Sequence, residues 1–135
     1  MTHTFLVIDS FEEMRLLVVR TVQRVFPGAV ITEAHDFEEA TRLMSGTAYD
    51  AIIVHRAIGA DAKTIIELIR RDDSAVPIIA VSSMDRTDEV LSAGATAFLN
   101  FEEWLRIGTL VAELIADPIP RPGFRSRKKQ FRLSE

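Results

Sequence analysis

Short runs of consecutive apolar residues recur along the chain at Phe5-Leu6-Val7-Ile8, Ala29–Thr32, Ala51-Ile52-Ile53-Val54, Ile78-Ile79-Ala80-Val81 and Ala97-Phe98-Leu99. Hydrophobicity that is continuous over strand length, rather than alternating, predicts strands buried on both faces, as in a parallel sheet. Between these runs the apolar positions change period. In Glu12–Phe26, Met14, Leu17, Val18, Val22 and the pair Val25-Phe26 recur at helical spacing, and Pro27-Gly28 ends the segment. Asp36 with Glu39 three residues later predicts a capping box opening a helix over Phe37–Met44, closed by Ser45-Gly46. Ala62–Arg71 carries an apolar stripe of Ile65, Ile66 and Ile69, and a short helix over Arg86–Ser92 is expected to end at Gly94. Asn100 and Glu103 form a second cap-like pair before Phe101–Ile115, whose apolar face is read as Trp104, Leu105, Leu110, Val111 and Leu114.

The order is (βα) repeated five times. Alternating strands and helices require right-handed crossovers, which give a parallel sheet covered on both faces. The expected fold is therefore α/β, a flavodoxin-like doubly wound (βα)5 with five parallel strands in the order 2-1-3-4-5. Ligands of such sheets sit beyond the C-terminal strand ends, beside the point where the strand order switches. That geometry selects Asp9 and Ser10 after the first strand, His55 after the third, Ser82 after the fourth, and Asn100-Phe101 after the fifth.

Composition narrows the classes. A chain of 135 residues with 47% hydrophobic residues has room for one ordinary core. The absence of Cys excludes a disulfide framework, a thiolate metal site and a cysteine nucleophile, and makes the cytoplasm the expected compartment. No apolar run is long enough to span a bilayer, and the first residues do not read as a signal peptide. Charge is unevenly spread. Residues 1–116 hold 10 basic and 18 acidic side chains, a net −8, whereas residues 117–135 hold Arg121, Arg125, Arg127, Lys128, Lys129 and Arg132 against 2 acidic groups, a net +4. Pro118, Pro120 and Pro122 mark the border, so the expected layout is a domain over 1–116 and a basic tail over 117–135. The tail offers charge for an acidic protein face, an anionic membrane or nucleic acid, or for the acidic body itself. The acidic balance of the whole chain disfavours nucleic acid.

Val7-Ile8-Asp9, Met14-Arg15, Tyr49-Asp50 leading into the third strand, Pro77-Ile78-Ile79-Ala80-Val81-Ser82, and Ala93-Gly94-Ala95 before Phe98-Leu99 stand in order along residues 4–116. In these landmarks the chain resembles the response-regulator receiver domains of two-component signalling. The resemblance implies a domain that takes a phosphoryl group from a partner kinase's phosphohistidine. It implies an acidic pair after the first strand to hold Mg²⁺, an Asp acceptor ending the third, a Thr or Ser after the fourth and a Lys after the fifth. Carried across position by position, this chain keeps Asp9 and Ser82, but has Ser10 for the second acid, His55 for the acceptor and Phe101 for the Lys, with Glu102 following. Phe98 falls where many receivers carry a switching aromatic. With no phosphoryl group to draw Ser82 inward that switch loses its input, and Phe98 reads as a core side chain.

The chemistry follows without the family. Mg²⁺ asks for hard oxygen ligands and a phosphoryl group for nearby cations; one carboxylate, an imidazole and a phenyl ring supply neither. No metal or cofactor is expected. His55 and Asp9 are expected either to pair by a charge-assisted hydrogen bond across adjacent strand ends, or to leave the imidazole half exposed in a loop. Asp9, His55 and Ser82 also suggest a hydrolytic triad, but no Gly-x-Ser-x-Gly elbow accompanies them, and the glycines form no nucleotide-binding loop. The expectation is thus a stand-alone, non-enzymatic pseudo-receiver acting through protein contacts in a phosphorelay or related pathway. Its partner would be a histidine kinase, a sensory protein, another regulator, or a second copy docking through the fourth and fifth helices. The alternatives are a phospho-receiver with His55 as acceptor, and a nucleic-acid or membrane adaptor working through the tail.

Overall fold

A computed structural model of the chain describes residues 2–116. The tail cations Arg121, Arg125, Arg127, Lys128, Lys129 and Arg132 lie outside the described residues. The strands are β1 (Thr4–Asp9), β2 (Val30–Ala34), β3 (Ala51–Arg56), β4 (Ile78–Ser82) and β5 (Ala97–Asn100). The helices are α1 (Glu12–Val25), α2 (Phe37–Gly46), α3 (Ala62–Asp72), α4 (Thr87–Ala93) and α5 (Ile107–Ala116). All strand pairs are parallel and the order is β2-β1-β3-β4-β5, the expected flavodoxin-like arrangement.

Because successive side chains point to opposite faces, each continuous apolar run feeds two cores at once. Leu6, Ile8, Ile52, Val54, Ile78, Ala80 and Phe98 pack with Ile65, Ile66 and Ile69 of α3 and Val90 of α4. Phe5, Val7, Ile53, Ile79, Val81 and Leu99 pack with Val18 and Val22 of α1 and with Leu110, Val111 and Leu114 of α5. The helices α1 and α5 approach closely where Gly108 faces the Thr21 carbonyl, since a Cβ at 108 would collide with that oxygen. Thr21 Oγ1 also donates to the Leu105 carbonyl at 3.0 Å, tying α1 to the segment before α5.

Several local expectations are corrected. The segment read as one helix over Phe101–Ile115 is a 3-10 helix over Phe101–Arg106 followed by α5, with non-helical backbone at Glu103. The Asn100 side chain accepts from the Glu102 N–H, not from that of Glu103, and Glu103 instead takes Arg106 Nη1 at 2.8 Å. Leu105, counted on the buried face, is 60% exposed. Strand β2 runs two residues further than the apolar run indicated, and α2 runs past Met44 through Ser45 to end at Gly46. Asp36 does cap α2 through the Glu39 N–H at 2.7 Å, but Glu39 reaches back to the His35 N–H instead of closing a box on Asp36.

Candidate functional site at the C-terminal edge of the sheet

The switch in strand order places β1 and β3 side by side at the centre, and their C-terminal ends bring Asp9 and His55 together. The ladder pairs Ile8 with Val54 and then Asp9 with Arg56, so His55 is the extra residue of a β-bulge. A bulge re-aims the side chain it carries. Pairing resumes at once, with the Ser10 N–H donating to the Arg56 carbonyl at 2.9 Å. His55 is therefore a strand residue, not a loop residue after the strand, and at 7% exposure it is not the half-exposed imidazole that was one of its two expected states.

The other expected state, the pair with Asp9, is present. Ring nitrogen Nδ1 of His55 lies 2.8 Å from Asp9 Oδ2, and Asp9 Oδ1 accepts the Phe11 N–H at 2.9 Å. Asp9 is 1% exposed, and both of its carboxylate oxygens are engaged by the fold itself. Arg15 secures the same strand end from the α1 side, with Nη1 donating to the Asp9 carbonyl at 2.8 Å and Nε held by Glu33 at 2.7 Å.

Phe101, first residue of the 3-10 segment, stacks on the imidazole with ring centroids 5.1 Å apart and planes at 25°. The phenyl ring is buried and belongs to the α1/α5 core, so it covers His55 with carbon rather than presenting charge. Across β4, half-buried Ser82 accepts the Met84 N–H at 3.1 Å and pairs in register with Asn100. Phe98 is 1% exposed in the α3/α4 core, as a packed strand aromatic. Ser10 adjoins Asp9 and brings no carboxylate.

Sequence reasoning gathered Asp9, His55, Ser82 and Phe101 at one edge but did not foresee Phe11, Arg15 or Arg56. Phe11 supplies the second hydrogen bond to Asp9, and its exposed ring carries the Arg56 guanidinium 3.9 Å above its centroid. The Met14-Arg15 landmark was a signal for Arg15, but nothing in the pattern tied it to the Asp9 carbonyl.

A magnesium ion, which the fold suggests, does not fit these residues. It requires several oxygen ligands free to face it, whereas Asp9 has spent both oxygens, Ser10 offers a hydroxyl at most, and His55 offers nitrogen. Among the described residues no group of three or more His, Asp or Glu is arranged to hold a metal ion.

No protein-family model matches the sequence, and no curated protein matches it. Solved structures do. The chemotaxis response regulator CheY4 of Vibrio cholerae is 21% identical, with 82% of this chain covering 99% of that one at a TM-score of 0.70. The signal receiver domain of the response regulator NarL from Mycobacterium tuberculosis is 20% identical, covering 85% of this chain and 97% of the other at 0.74. A two-component response regulator of the LuxR family from Aurantimonas sp. SI85-9A1 is 21% identical, covering 95% of each chain at 0.77. The described residues thus adopt the fold of response-regulator receiver domains.

Proposed function

We propose that the protein is a pseudo-receiver, a non-enzymatic protein–protein interaction module that works in a two-component pathway without being phosphorylated. The single observation that carries this reading is the Asp9–His55 hydrogen bond beneath the Phe101 ring. It occupies the strand ends where a receiver of the resembled kind would hold a divalent cation and an acceptor carboxylate. A buried carboxylate stabilised by two fixed donors has little to gain from exchanging them for an ion. The similarity to response regulators supports the pathway assignment, and it makes a histidine kinase, a sensory protein or another regulator the natural partner. No described helix is long and apolar enough to cross a membrane.

The test is incubation of the full chain with Mg²⁺ and acetyl phosphate, followed by intact mass measurement. The expected outcome is an unmodified mass. A stoichiometric phosphoryl adduct would overturn the reading, and mapping it to His55 would favour the phospho-receiver alternative.

A further inference from the structure

His55 is nine-tenths buried, yet only one of its ring nitrogens has a partner. Nδ1 is bonded to Asp9 Oδ2, and Nε2 meets no hydrogen-bonding group among the described residues. A carboxylate oxygen accepts, so in the tautomer that makes this bond Nδ1 carries the proton and Nε2 presents a lone pair. A buried acceptor left without a donor is costly, and the carboxylate behind the ring strengthens it as an acceptor.

The ring borders a cleft of about 290 Å³ at the C-terminal ends of β3 and β4, between the starts of α3 and α4. Two features of its lining select the ligand. Arg56 and Arg86 are matched in number by Asp61 and Glu89, and Arg86 is itself held by Glu89 at 3.5 Å, so no net charge favours an ion. Ser82 also faces the cleft, and since its oxygen already accepts from Met84, its hydroxyl proton is available to donate. An acceptor and a donor that line one charge-balanced cleft match a hydroxyl group, which does both.

We propose that this cleft binds a small neutral polyol, with one hydroxyl donating to His55 Nε2 and accepting from Ser82. The proposal goes beyond the interaction reading by giving the module a reversible, non-covalent input in place of a phosphoryl group.

The test is a magnesium-free NMR titration of the full chain with myo-inositol, with sodium acetate and n-butylammonium chloride as charged comparators. Saturable shifts confined to His55, Ser82 and their neighbours are expected with inositol, together with movement of the His55 Nε2 resonance as its lone pair is engaged. Ser82→Ala, at the half-buried rim, should weaken binding about fivefold, the loss of one ordinary hydrogen bond. His55→Phe should abolish it; where that variant does not fold, Ser82→Ala and the wild-type Nε2 resonance carry the test. Absence of saturation with inositol, tighter binding of either ion, or unchanged affinity in the folded variants would overturn the proposal. None of these outcomes involves Mg²⁺ or a covalent adduct, so the assignment as a pseudo-receiver is tested separately.

Discussion

Asp9 and His55 act as one unit, because each removes the other's exposure to an unpaired state. Buried at 1% and 7%, they leave little room for water to substitute for a lost partner. Asp9→Asn should lower stability by about 1–3 kcal/mol, the range for a hydrogen bond to a charged buried group. In a double-mutant cycle with His55→Phe, read by urea unfolding, most of the Asp9→Asn cost should vanish once the histidine is gone. Strict additivity of the two losses would separate the residues. At the surface the carboxylates behave differently. The Thr64 backbone N–H holds the Asp61 carboxyl below its ordinary range, and the His35 backbone N–H does the same for Glu39. A carboxylate depressed in the folded state adds stability above its unfolded pKa of about 4, and that contribution is lost as pH falls through the folded value. Asp61 caps α3 through the Thr64 N–H at 2.9 Å, so Asp61→Ala should cost about 1 kcal/mol at pH 7 and less at pH 3. Solvent screening keeps this difference small, and an equal cost at both pH values would show that the charge of Asp61 contributes nothing.

At the level of elements, the period of the apolar residues was a sound guide wherever one helix or strand met one continuous face. It located ten elements because burial on both faces of β1, β3, β4 and β5 leaves an unbroken apolar signature, and because Asp36 caps α2 with its own side chain; the Asp61 cap of α3 was not read from the sequence. It failed where geometry depends on a neighbour. The bulge that turns His55 inward exists only in the pairing of β1 with β3, and nothing within Ala51–Arg56 announces it. The break after Phe101–Arg106 arises likewise, since Thr21 of α1 takes the Leu105 carbonyl and Gly108 then lets α5 close on α1. Gly108→Ala should therefore destabilise by about 1–3 kcal/mol, the cost of forcing a methyl group into a packed contact. Gly46→Ala in α2, with nothing within 4 Å of the added Cβ, should be neutral or stabilise by up to about 1 kcal/mol through helix propensity. Thermal unfolding of the pair checks the contrast; equal effects would show that the α1–α5 approach is not as tight as described.

For the whole molecule, fold and site were legible to different depths. The five-unit alternation dictates a sheet whose C-terminal edge gathers Asp9, His55, Ser82 and Phe101, and the absence of a carboxylate at 55 and of a cation at 101 is written in the residues themselves. The replacement was not legible. That Phe101 would stack on the imidazole, and that the Phe11 N–H would donate to the second oxygen of Asp9, depend on how the strand ends and the segments after them meet. Together with the Asp9–His55 bond they engage both oxygens of Asp9 and cover one face of the imidazole, leaving Asp9 no free oxygen for an ion. The most direct measurement of that claim is a titration of the wild-type protein with MgCl₂, followed through the amide resonances of Asp9, Ser10, His55 and Arg56. The account predicts only small, non-saturating changes there, matching those produced by ionic strength alone; a saturable, site-confined response at Asp9 would contradict it.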